Sequence, residues 1–139
     1  MTPPKDTYRQ LVEAYGSLPY GLYFETDAKE WEEHYFPTET VEDIFGSAEE
    51  FYRAVQEGCF YMAGAPTLHE EIAVLLCYSS EDALRLAGQL SGRDKNLRIM
   101  ETAEGDALNA IFVCHGRRLL YCRLKDAERA REAMDSLDY

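Results

Sequence analysis

Apolar residues recur at helical spacing in some stretches of the chain and alternate or run together in others, and the two rhythms predict its elements in order. Tyr8, Leu11, Val12 and Tyr15 fall on one helical face, which predicts a helix over 7–15 capped by Asp6 and ended by Gly16. Residues 21–25, GLYFE, are aromatic-rich and read as a short strand. Asp27 followed by Glu30 is a capping-box pattern, predicting a helix through about residue 35 that Pro37 stops. Thr40 with Val41, Ile44 and Phe45 predicts a further helical turn before Gly46. Ser47 with Glu50 repeats the box, and Phe51, Ala54 and Val55 carry a helix to Gln56, ended by Gly58.

Beyond Gly58 the rhythm shortens. Residues 59–63, bounded by Gly58 and by Gly64 with Pro66, form an apolar run of strand length, and 72–78 are apolar on both alternating faces, the mark of a covered central strand. Ser79 or Ser80 caps a helix whose inner stripe is Ala83, Leu84, Leu86, Ala87 and Leu90, with Gly92 at its end. Residues 97–103, 110–115 and 118–124 then predict a three-stranded meander, its second turn a type II′ pair at Gly116-Arg117. That turn sets His115 opposite Arg118, Cys114 opposite Leu119 and Ile111 opposite Cys122, so Cys114 and Cys122 face opposite ways. Asp126 caps a last helix with Ala127, Ala130, Met134 and Leu137 on its inner face. The sum is an α+β fold: about four or five strands, mostly antiparallel, with helices packed on the sheet. No linker or repeat interrupts 1–139, which is read as one domain.

Composition adds little to that picture. The chain is 46% apolar and 29% charged, the balance of a chain with an ordinary hydrophobic core. No stretch reaches the roughly 20 apolar residues of a membrane helix, and MTPPKDTYRQ lacks the apolar core of a secretory signal, so a cytoplasmic protein is expected. The four cysteines form no C-x-x-C pair and are read as buried thiols, not disulfides.

Charge changes the picture more. The net charge is −12, and residues 25–57 hold eleven acidic side chains against Lys29 and Arg53, a sum of −9. Residues 80–139 are nearly balanced. Such a field repels nucleic acid and anionic lipid, so direct binding to either is excluded and a basic protein partner is expected.

Candidate chemistry is sparse. Glu30, Glu33 and His34 share a predicted helix, but neither the two histidines of H-E-x-x-H nor a pair of E-x-x-H motifs is present, and no metal or cofactor is expected. His69-Glu70-Glu71 reads as a polar lead-in to a strand. Cys114 and His115 are adjacent and point to opposite faces, which is wrong for a catalytic dyad, and no nucleophile elbow, Walker loop or dinucleotide fingerprint exists. No catalytic residue is assigned. The expected function is that of a small acidic inhibitor, an immunity protein or phage-type anti-defence protein that occludes a basic, nucleic-acid-handling partner. Glu30, Trp31, Glu33, Tyr35, Glu42 and Asp43 are its expected contact residues. The alternatives are an enzyme with a sheet-end pocket around His115, Arg118 and Cys122, or a homo-oligomeric structural subunit. The bland reading of 25–57 is a solubilising surface.

Overall fold

The run that is apolar on both faces becomes the middle strand of the sheet, β3 (Glu71–Cys77), every residue of which is buried. The computed structural model describes residues 2–64 and 68–137. In chain order the elements are α1 (Pro4–Tyr15), β1 (Gly21–Glu25), α2 (Thr38–Phe45), α3 (Ala48–Ala54), β2 (Val55–Ala63), then β3, α4 (Ser80–Ala103), β4 (Ile111–His115), β5 (Arg118–Arg123) and α5 (Ala127–Asp135). The strands form one antiparallel sheet in the order β1-β2-β3-β5-β4. This is the expected α+β class.

Each face of the sheet has its own core. On one side Leu11 and Tyr15 of α1 and Ala130 and Met134 of α5 pack on Cys59, Ile72, Leu120 and Cys122. On the other, Val41, Ile44, Phe45 and Phe51 of α2 and α3 and Leu86 and Leu90 of α4 cover Phe24, Phe60, Leu75, Leu119 and Tyr121. The result is a sheet between two helical layers.

Several boundaries differ from expectation, each for a physical reason. The first helix starts earlier, at Pro4, because proline suits a first helical turn where its missing N–H costs nothing. Pro37, not Thr40, precedes α2. The predicted helix over 27–35 is absent, replaced by successive turns, since its one large apolar candidate inside the first two turns, Trp31, finds no core to cover. Ser47 does cap α3, accepting from the Glu50 amide at 3.2 Å, but the helix ends at Ala54 and the chain passes directly into β2. A register shift between Val55 and Glu57 admits that early start. Pro66, expected to bound this strand, lies outside the described residues.

The largest correction concerns residues 97–103. They are the end of α4, which runs through Gly92 for 24 residues, so the meander is a two-stranded hairpin. The buried stripe Ala83, Leu86, Leu90, Asp94, Leu97, Glu101 keeps helical spacing, with carboxylates at two core positions. Both meet the fully buried Arg123 of β5. Its Nε donates to Asp94 at 2.7 Å, its Nη2 to Glu101 Oε1 at 2.8 Å, and its Nη1 to Glu101 Oε2 and the His69 carbonyl at 3.0 and 2.7 Å. Glu101 also accepts from the His69 and Leu108 amides at 2.9 and 3.1 Å. Burial opposes ionisation of Glu101, but the Arg123 bond and the two amides outweigh it and hold the carboxyl below its ordinary value. Beside this clasp Glu71 is gripped by Arg93 at 2.6 Å and by the Tyr121 hydroxyl at 2.8 Å.

The hairpin turn is as expected. Gly116 has φ +58° and Arg117 has no positive φ, the type II′ pattern, and the register pairs His115 with Arg118 and Ile111 with Cys122. Cys114 packs toward α4 and Cys122 toward α1 and α5. All four cysteines are free.

Candidate functional site

The acidic segment begins where β1 reaches the edge of the sheet. Residues 26–36 fold back along that edge in turns. The Glu25 amide donates to the His34 carbonyl at 2.8 Å, and Glu25 forms a parallel bridge with Tyr35. Inside the loop the Glu32 carboxylate accepts from the Lys29 amide at 2.7 Å, and the Glu32 amide donates back to the Lys29 carbonyl at 2.8 Å. These reciprocal bonds join Lys29 and Glu32, not the expected capping pair of Asp27 and Glu30, and they close a turn, not a helix end.

Two rings anchor the loop. Phe36 is buried, stacked on Phe24 with centroids 5.0 Å apart and edge-on to Phe51 at 5.9 Å. His34 meets Tyr23 edge-on at 5.0 Å, and Tyr23 stacks on Tyr8 of α1 at 4.8 Å. Lys5 ties the loop to α1 through Asp27 at 3.1 Å. The bond that Lys5 donates to Asp27 raises the lysine's pKa. The loop is therefore fastened on both sides of the sheet edge, and what lies between its fastenings is held outward.

What it holds outward is Trp31, 84% exposed, between the exposed Glu30, Glu32 and Glu33. A tryptophan that open is unusual, because the indole carries one of the largest apolar surfaces of any side chain. Pro37 then turns the chain into α2, which buries Val41, Ile44 and Phe45 and leaves Glu39, Glu42 and Asp43 exposed. In α3 the exposed acids are Glu49 and Glu50, the first paired with Arg53 at 2.6 Å.

The six expected contact residues thus occupy two stations. Glu30, Trp31 and Glu33 project from the loop, with Tyr35 half-buried at its end; Glu42 and Asp43 project from α2, where Asp43 borders a groove against Gln89, Gly92 and Arg93 of α4. Among the described residues, Glu30, Glu33, Glu39, Glu42, Asp43 and Glu50 form no ion pair. On α2, Glu39 stands three and four residues from Glu42 and Asp43, spacings at which like charges repel by ~0.2 to 0.5 kcal/mol per pair. Sequence reasoning missed Tyr52. It is 39% exposed on α3, and its hydroxyl is pushed up first by burial and then by Tyr35 beside it. An aromatic directly after Phe51, off the buried stripe of its helix, was the signal.

His115, Arg118 and Cys122 do not converge. Arg118 reaches the Thr2 carbonyl at 2.8 Å, whereas Cys122, four residues on and about 13 Å along the strand, is fully buried under α1 and α5. Burial pushes the Cys122 thiol up to about 12, far from a thiolate nucleophile. Glu30, Glu33 and His34 form no metal cluster, and no group of ligating residues among those described does. No described helix is long and apolar enough to cross a membrane.

Fold and surface together define an α+β protein whose antiparallel sheet lies between two helical layers, with uncompensated acid and open aromatics at its β1 end. Comparison with protein-family models, with curated proteins and with solved structures finds no match to this chain.

Proposed function

We propose that the chain is a binding protein that presents its acidic loop and helix pair to a basic surface of another protein and blocks that surface by occupying it. A toxin immunity protein or a phage-type anti-defence protein acting on a nucleic-acid-handling partner is the class that such chemistry fits. Carboxylates spaced over turns stand in for phosphates before a cationic groove, and the indole enters as a desolvated anchor. The observation that supports the reading is Trp31, held open on a firmly anchored loop between carboxylates that form no ion pair among the described residues. A surface that served only solubility would gain from the same acids without exposing an indole among them.

The test uses two baits, the wild-type chain and Glu30→Lys/Glu33→Lys/Glu42→Lys, each immobilised at low ionic strength. A basic protein retained by the first and not the second, and released by salt, is the expected result. Equal retention by both baits contradicts the reading, provided that the two melt at the same temperature.

A further inference from the structure

The two edges of the sheet are built differently. At β1 the loop closes part of the edge through the Glu25 amide, and Glu25 itself carries charge within the strand. At β4, among the described residues, no loop closes the edge through the strand's backbone. Its sequence is IFVCH, without proline, lysine or an acid, and its first four side chains are only half-covered on either face. The two-residue turn makes His115, Val113 and Ile111 the residues that exchange bonds with β5. The N–H and C=O groups of Phe112 and Cys114 therefore point away from the sheet. Among the described residues no backbone group meets them there.

An edge of this kind is a template for another strand. We propose that the occupant is β4 of a second copy, paired antiparallel about a two-fold axis through Val113. In that register Phe112 faces the second copy's Cys114, and each such pair exchanges two backbone bonds, so all the outward groups of both residues are satisfied. Sizes also match: phenylalanine lies across from cysteine on the α4 face, isoleucine from histidine on the other, and valine meets valine at the axis.

Charge selects this edge over the other. Pairing through β1 would set two segments of −9 side by side. Pairing through β4 sets the two β1 strands, and the loops fastened to them, at opposite ends of a ten-stranded sheet, nine strand spacings or roughly 43 Å apart. That is several times the ~8 Å screening length at physiological salt. The dimer does not depend on the acidic surface having a partner, but it would present two such surfaces facing outward.

Sedimentation equilibrium between roughly 1 and 200 μM tests the proposal. The expected mass rises with concentration to twice the 15.9 kDa of the chain. Cys114→Pro removes an outward N–H that the hairpin does not use. It is expected to keep the circular dichroism spectrum and to raise the dimer dissociation constant by at least about tenfold. Val113→Cys in a Cys114→Ser background gives a second reading, since paired residues at this non-bonded position sit about 4.5 Å apart at Cα, within disulfide reach. Rapid oxidation to a covalent dimer is expected. A wild-type chain of single mass at the highest concentration overturns the proposal. So does a folded Cys114→Pro chain that dimerises unchanged, or a Val113→Cys chain that fails to cross-link, and none of these bears on the acidic surface.

Discussion

Trp31 and Phe36 stand five residues apart and do opposite work. Phe36 is buried among three phenylalanines and holds the loop to the core, so Phe36→Ala should lower unfolding free energy by about 3 to 5 kcal/mol in a urea titration. Trp31 covers nothing, and Trp31→Ala should change stability by no more than about 0.5 kcal/mol while weakening partner capture. A large stability loss at Trp31 would mean that the indole is part of the core. The cysteines make a second contrast. Burial pushes the thiols of Cys59, Cys77 and Cys122 up to about 12, while Cys114 is half-exposed. At pH 8 a disulfide reagent should therefore titrate at most one thiol in the folded chain and four after denaturation. Three fast native thiols would contradict the burial assigned to them.

At the scale of elements, α4 and the acidic loop explain which parts were legible in the sequence. Where apolar period and turn chemistry agree, as at β3, the Gly116 hairpin and the Asp126 cap, elements and even register could be read directly. The Ser79 cap and the first half of α4 were legible too, but its continuation past Gly92 was not, because Asp94 and Glu101 occupy core positions and look like an interruption unless their partner, Arg123, is known to lie across from them. The loop over 26–36 was misread for the converse reason: a capping pattern is local, and no stripe of buried residues followed to make it a helix. Of the candidate site, the acid and the indole were visible as composition, but the exposure of Trp31 and the place of Tyr52 depend on tertiary packing.

The Arg123 clasp carries its own consequence. Arg123→Met leaves the buried Glu101 without its cation and Asp94 with Arg98 alone, and should cost about 3 to 5 kcal/mol in the same titration. Glu101 is held below its ordinary value of 4.5 in the folded chain, so its contribution is complete above that value and is lost as acid carries the pH down through the folded value. Between pH 7 and about pH 5 this group should leave stability unchanged, and below about 4.5 stability should fall. In Glu101→Gln that acid-dependent loss should shrink. An acid profile identical to wild type would show that other carboxylates govern it.

For the whole molecule the governing feature is polarity of charge along the sheet. Three quarters of the net −12 lies in residues 25–57, which begin at the β1 edge, while the far edge is neutral. An acidic end of this kind accelerates encounter with a cationic partner and repels nucleic acid, and screening weakens both effects. The measurement that tests this most directly is the association rate with the captured basic protein, taken across ionic strength for the wild-type chain and for Glu30→Lys/Glu33→Lys/Glu42→Lys. The wild-type rate should exceed the ~10⁵ to 10⁶ M⁻¹s⁻¹ of neutral pairs at low salt and fall steeply as salt is added, with the charge-reversed chain slow throughout. Equal rates for the two chains, or a wild-type rate indifferent to salt, would contradict the assignment of that surface to a cationic partner.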